Sequence, residues 1–348
     1  MIGFRPEIQA LGGYTPGEQP QAGKFIKLNT NESPYPPSPR VIRAVQQAAE
    51  SGLSRYPDPM GNAFRYRAAE VLGVEPDWIL CGNGSDDILT IVTRAFVGNG
   101  QLLRLPYPSY VLYKTLAQIQ GAWSEEISWN EDWTLSAAFY ADSPQLRLVF
   151  LPNPNSPSGT LVSHQAIGDL ASRLTCPLLV DEAYADFATS NCLDLVRQNE
   201  RIFVSRTFSK SYALAGLRFG FLVGQPHAIA KLAKVKDSYN CDALSIAGAT
   251  AAIDDQAWLR DNVAKIIATR QRLMAGLDAL GFASVPSHAN FIWTRHPKRP
   301  SAALYDQLKQ NRVLVRYMNY SKWGDGLRIS VGTDEQIDAC LALLQSMV

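Results

Sequence analysis

The segment LRLVFLPNPNSPSGTLVSHQAIGDLASRLTCPLLVDEAY, residues 146–184, carries the fold in its pattern. An apolar run (146–151) breaks into a turn dense in Asn and Pro, and an amphipathic stretch (163–174) follows. A second apolar run (177–182) then ends in acidic residues, with Tyr184 close behind. Strand, helix and strand in that order predict a parallel pair joined by a crossover helix. Runs that are apolar throughout, rather than at every second position, predict strands covered on both faces.

The alternation extends in both directions. Strand-like runs stand at WILCG (78–82), QLLRL (101–105), RIFVS (201–205) and FGFLV (219–223), with amphipathic stretches at 61–73, 84–97 and 109–120. An α/β fold results, with a large, mostly parallel sheet flanked by helices and ligands bound beyond the carboxyl ends of the strands. After about residue 244 the pattern changes to a long helical stretch (244–280), then ANFIWT, a helix at 301–310, VLVRY, GLRISVG and a closing helix from 333. That text predicts a smaller α+β domain. The Gly- and Pro-rich opening (LGGYTPGEQP, 11–20; ESPYPPSP, 32–39) reads as an irregular arm that must dock to be ordered. The expected division is an N-terminal arm (1–30), a large domain (31–243) and a small C-terminal domain (244–348).

Composition removes several classes of function. The 348 residues are 46% hydrophobic and 19% charged, as in an ordinary globular protein, and the net charge of +1 lacks the basic excess of nucleic-acid or membrane-surface binders. Five cysteines occur without CxxC pairing and four histidines are dispersed, so no metal site is expected and the thiols are expected to be reduced. The opening MIGFRPEIQALGG lacks the marks of a secretory leader and no run is long enough for a membrane span, so the expected location is the cytoplasm.

Four stretches carry candidate chemistry. In TFSKSYALAGLRFGF (207–221), Lys210 lies among the hydroxyls of Thr207 and Ser209, with Arg218 eight residues on. A lysine in a polar loop is ordinarily a solvated charge; hydroxyls plus an arginine also form a phosphate cradle, and a lysine of lowered pKa is a nucleophile. In LVDEAY, Asp181 ends a buried strand, where it either caps the next helix or serves as an anion for a heterocyclic nitrogen. Turn chemistry accounts for most of NPNSPSG, yet its place after a strand puts Asn155 where it can donate to a ligand oxygen. CGNGSDDILTIV (81–92) sets small residues between strand and helix, which suits a phosphate at the helix N-terminus but lacks the third glycine of a dinucleotide fingerprint.

Taken together, these stretches resemble the fold-type I pyridoxal-5′-phosphate (PLP) enzymes, specifically the class II aminotransferases. The run Thr207–Ala213 with Gly216 and Arg218 is similar to that group's PLP-attachment signature, and NPNSPSG, DEAY and SK follow in the family's order. Within the group, ALGGYTPGE (10–18), LNTNESPYPPSP (28–39), SRYPDP (54–59), YPSYVLY (107–113), VLVRYM (313–318) and LRISVGT (327–333) resemble the histidinol-phosphate aminotransferase family. NPNSPSG and GSDD depart mildly from the commoner NPNNPTG and GADE or GSDE.

The resemblance implies that Lys210 holds the cofactor as a Schiff base and moves a proton in catalysis, with Asp181 on the pyridinium nitrogen and Asn155 and Tyr184 on the ring oxygen. It implies that Tyr110 stacks on the ring, and that Gly84, Ser85, Asp86, Thr207, Ser209 and Arg218 form the phosphate side of the site. Tyr56 would reach the cofactor phosphate of a neighbouring subunit in a homodimer. Arg328 would grip a substrate carboxylate, Arg316 and Tyr14 are the candidates for the substrate phosphate, and Asn31 is also on the substrate side. The implied reaction exchanges an amino group between L-glutamate and imidazole-acetol phosphate, giving L-histidinol phosphate. A transaminase of aromatic amino acids and a threonine-phosphate decarboxylase are the alternatives on the same scaffold. A PLP-carrying transcription regulator would need a DNA-binding module that the N-terminal text does not supply.

Overall fold

The computed structural model describes residues 2–12, 17–19 and 23–348. Its centre is a seven-stranded sheet in the order 79–82, 220–223, 202–207, 178–181, 146–152, 102–107, 123–128. Every adjacent pair is parallel except the two made by Gly220–Val223, which runs antiparallel to both neighbours.

The pleat explains the continuous apolar runs. Along Leu146–Pro152, Leu148 and Phe150 join one core cluster with Leu103, Leu179, Phe203 and Leu222, beside Ile88 and Leu89 of the helix Ser85–Phe96. Val149 and Leu151 face the opposite cluster with Val180, Val204 and Phe221, covered by helices Asn62–Leu72, His164–Arg173 and Ala243–Asp254. Each central strand thus buries both faces, as the mostly parallel α/β class requires.

A four-stranded antiparallel sheet, in the order 316–320, 324–330, 291–295, 283–284, forms a second centre with its own apolar cluster. Helices Gln256–Ala279, Ser301–Gln310 and Asp334–Met347 contribute Leu273, Leu277, Leu304, Leu308, Ile337 and Leu344 to that cluster. The closing helix starts with a capping box between Thr333 and Gln336. Ile26–Lys27 pairs in parallel with Val313–Leu314, and Leu28 is buried in the same cluster, so chain from the N-terminal side packs with this second centre.

Two local expectations need correction. The stretch 244–280 is not one helix: Ala243–Asp254 and Gln256–Ala279 are separated at Asp255, whose backbone leaves the helical region and whose carboxylate accepts from Trp258 N (3.3 Å) and Ser38 Oγ (2.6 Å). The sequence pattern does not mark the strand Trp123–Ser128, an exposed edge strand paired on one side only, because Ser124, Glu125 and Glu126 give it no apolar run.

Candidate active site

The carboxyl ends of the central strands bring Asp181, Thr207 and the 152–159 loop to one edge of the sheet, as the topology predicts. Asp181 is 5% exposed. Its two oxygens accept from Tyr113 (2.7 Å) and from Ser205 Oγ (3.1 Å), the latter on the residue directly opposite in the parallel register. Both donors are neutral, so burial dominates and raises the carboxyl to about 6, with Asp86 adding to the rise. Asp181 is therefore a buried acid that lacks a cationic protein partner among its hydrogen bonds.

Lys210 is half-buried, and its Nζ donates to Thr30 O at 3.1 Å and lies 5.9 Å from the centre of the Tyr184 ring. Burial, helped by Arg328 and Arg218 and opposed by Glu32 and Asp86, lowers the amine to about 8. A neutral amine is thus within easy reach near physiological pH, which a nucleophile or proton carrier requires. The Tyr184 hydroxyl accepts from Asn31 Nδ2 at 3.0 Å, and its ring stands edge-on to Phe291. Burial pushes that phenol up, while Arg328 and Asn31 act in the other direction.

An anion cradle lies at the start of the helix Ser85–Phe96. Gly84 is its N-cap at φ 83, a conformation that favours glycine, and offers no side chain to the first helical N–H groups. A Cβ at Gly84 would stand 2.7 Å from Arg218 NH2. Gly220 permits the neighbouring strand to pass close by, since a Cβ there would stand 2.7 Å from the backbone of Gly84 and of Ser85. Arg218 donates to Ser209 Oγ (3.1 Å), the Thr207 hydroxyl donates to Ser209 Oγ (3.0 Å), and Arg218 pairs with Asp86 at 3.6 Å. Tyr110 donates to the other Asp86 oxygen at 3.2 Å. Helix N-terminus, hydroxyls and guanidinium converge as a phosphate site does.

Asn155 is fully buried. Its amide nitrogen donates to Pro108 O (3.3 Å) and Ser158 Oγ (2.8 Å), so both hydrogens are taken within the protein and Oδ1 is the buried atom left without a partner. In this arrangement Asn155 presents an acceptor, where the sequence reading expected a donor.

The substrate-side arginines come from the second sheet. Arg316 and Arg328 are directly opposite each other in an antiparallel pair, hence on one face, and Arg328 is opposite Trp293 on its other side. Two like charges in that relation repel unless an anion shares them. Arg328 reaches to Ser156 Oγ and Asn29 O, both at 3.1 Å, and crosses the Phe291 ring at 5.3 Å. Arg316 borders a cavity of about 130 Å³ with Glu18, Asn29, Tyr305 and Tyr317. Asn31 is buried against Tyr184 and Ser330.

One sequence candidate is not brought into this cluster and another cannot be placed. Tyr56 is 80% exposed and stacks on Tyr239 with ring centres 4.4 Å apart. Tyr14 lies outside the described residues. Conversely, Tyr113, Ser205, Thr30 and Ser330 enter the site through contacts that motifs alone do not mark; Ser205 follows only once its strand is set beside Asp181.

This combination of strand-end acid, half-buried lysine and anion cradle on a helix-covered sheet defines a transferase of the aminotransferase class, and the chain belongs to the family of class I and II aminotransferases, whose profile matches residues 23–344. Over 343 residues it is 60% identical to a histidinol-phosphate aminotransferase of Rhodopirellula baltica, covering 98% of this chain and 95% of that one. It is 46% identical over 348 residues to histidinol-phosphate aminotransferase 1 of Trichormus variabilis, covering 99% of each. A solved structure of histidinol-phosphate aminotransferase from Sinorhizobium meliloti in complex with pyridoxal-5′-phosphate superimposes with a TM-score of 0.90 at 27% identity, covering 100% of this chain and 99% of that one. The family and fold expected from the motifs are borne out.

Proposed function

We propose that this chain is a PLP-dependent transaminase that passes an amino group between L-glutamate and imidazole-acetol phosphate, forming L-histidinol phosphate in histidine biosynthesis. The carrying observation is the half-buried Lys210 amine, lowered to about 8 and set against the ring of Tyr184, which in turn feels the charge of Asp181. Two features suit the cofactor: a buried carboxyl lacking a cation, and a helix N-terminus at Gly84 whose positive φ and close approach to Arg218 favour glycine. PLP supplies an electron-withdrawing pyridinium ring that stabilises negative charge at the substrate carbon.

The chain's own groups divide the remaining work. Lys210 would hold the aldehyde and, as a free neutral amine, would take and return the proton of the substrate carbon at Nζ. Asp181 would keep the ring nitrogen protonated and would gain from it the cationic partner its hydrogen bonds lack. Gly84, Ser85, Thr207, Ser209 and Arg218 hold the phosphate, with Asp86 fixing Arg218 and Tyr110 beside the ring. Arg328 and Arg316 receive the substrate anion, and their opposed placement on one face favours a dianionic phosphate ester as well as a carboxylate. The resemblance assigns Tyr14 to the same substrate anion, while Asn31 acts through Tyr184, to which its amide donates. The chain divides into an arm (1–30), a large domain that runs past the expected boundary at 243 to about 254, because the helix Ala243–Asp254 packs on the large sheet, and a small C-terminal domain; it works in the cytoplasm and pairs as a homodimer in which the exposed Tyr56 reaches the neighbouring cofactor phosphate.

Incubation of purified protein with PLP, L-histidinol phosphate and 2-oxoglutarate should yield L-glutamate, and borohydride should fix the cofactor to Lys210. Lys210→Ala should abolish both. Faster turnover of phenylalanine or tyrosine than of histidinol phosphate would overturn the substrate assignment.

A further inference from the structure

Asn31 is 1% exposed and holds φ 56, a left-handed conformation that asparagine tolerates better than most residues. Its backbone N–H donates to Ser330 Oγ (2.9 Å) and its carbonyl accepts from Asn290 Nδ2 (3.0 Å). Its side-chain Oδ1 accepts from Ser330 Oγ (2.8 Å), and its Nδ2 donates to the Tyr184 hydroxyl (3.0 Å). The Ser330 hydroxyl has one hydrogen, and giving it to Oδ1 turns the amide nitrogen toward Tyr184. Tyr184 therefore accepts from Asn31, and its own hydrogen is directed elsewhere. With the amide reversed, Tyr184 would spend that hydrogen on Asn31 Oδ1, and Ser330 would lose its acceptor in a buried place, which is costly.

We propose that Asn31 and Ser330 are positioning residues for Tyr184: their hydrogen-bonded pair fixes the direction of the tyrosine's proton and reserves it for the ligand beside Lys210. The inference rests on the reading of Lys210 as the PLP anchor. Arg328 and Ser330 lie two residues apart on one strand and bind Asn29 and Asn31, two residues apart on the other segment, so the anion-binding arginine and the tyrosine lock share one pair of chain segments. Charged and titratable groups bearing on Lys210 and Tyr184 include Arg328, Arg218, Glu32, Asp86, Asp181 and Tyr113, and Ser330→Ala alters none of them.

A hydroxyl that donates to the cofactor's ring oxygen draws off its negative charge and weakens its hold on the neighbouring protonated nitrogen. Losing that donor should raise the pH midpoint of the visible absorbance change of the holoenzyme. Ser330→Ala frees the amide to reverse, and the expected midpoint rises by about 0.5–1 pH unit. Asn31→Asp keeps a side chain that suits the left-handed backbone but only accepts there, so the rise should be at least as large. Each substitution is repeated in a Tyr184→Phe background, where Ser330→Ala should no longer shift the midpoint and Asn31→Asp should show only the effect of its added charge. An unchanged midpoint in Ser330→Ala, or equal shifts with and without the Tyr184 hydroxyl, overturns the inference; should Ser330→Ala fail to fold, the Asn31→Asp pair decides by the same criterion. Wild-type protein that takes up no borohydride-fixable cofactor at Lys210 would instead overturn the reading beneath it.

Discussion

Asp181→Asn gives a measurable consequence of the buried carboxyl that does not depend on catalysis. An acid raised from 3.8 to about 6 binds its proton more tightly in the folded chain than in the unfolded one. Between those values the native state holds more protons, so stability falls as pH rises through the window and levels off above it. About two pH units correspond to roughly 3 kcal/mol of destabilisation in the cofactor-free protein at pH 7, absent below about pH 4. Asparagine can accept from only one of Tyr113 and Ser205, a loss of about 1 kcal/mol that does not vary with pH. Urea unfolding of cofactor-free wild-type and Asp181→Asn proteins over this range should therefore show the wild type losing stability relative to the variant as pH rises. A difference that stays flat, or that grows in favour of the wild type, refutes the assignment of a raised, uncompensated carboxyl. Saturating PLP should invert the trend, because a protonated ring nitrogen then stabilises the ionised form.

Three further outcomes follow from the same geometry. Adduct formation between cofactor-free protein and PLP, followed by absorbance, should accelerate as pH rises through about 8, since the lowered Lys210 amine reacts only when neutral; an onset near the ordinary lysine value would contradict that. Both cradle glycine substitutions should weaken PLP binding by about 10-fold or more in a cofactor titration, Gly220→Ala because its Cβ meets backbone of Gly84, Ser85 and Arg206, and Gly84→Ala because φ 83 strains a residue with a side chain and its Cβ displaces the end of Arg218; undiminished affinity in either would contradict the cradle. Arg316→Ala should raise KM for histidinol phosphate by an amount corresponding to about 2–5 kcal/mol and affect glutamate less, and equal losses for both substrates would reassign that arginine.

What the sequence reveals depends on whether a signal is local. The central strands announce themselves because both faces are buried, so Leu148, Val149, Phe150 and Leu151 form one apolar run. Trp123–Ser128 escapes because an edge strand needs no such run, and the break at Asp255 escapes because part of its cap comes from Ser38, 217 positions away. The site follows the same rule. Lys210, Asp181 and Arg218 sit in contiguous motifs, whereas Ser205 acquires its role from strand order and Tyr113 from a fold that brings it 68 positions along the chain to Asp181.

Asn31 shows the rule at its sharpest. In the sequence, only the resemblance of LNTNESPYPPSP to the family places Asn31, and it places it on the substrate side. Its hydrogen bonds instead run to Ser330, 299 positions away, and to Tyr184, 153 positions away. A polar side chain that spends its groups on the protein cannot also spend them on a ligand, so its influence on chemistry must pass through the residue it orients. The distinction is measurable: a substrate contact would show chiefly in KM, while a group acting through Tyr184 should alter the spectrum of the resting holoenzyme before any substrate is added.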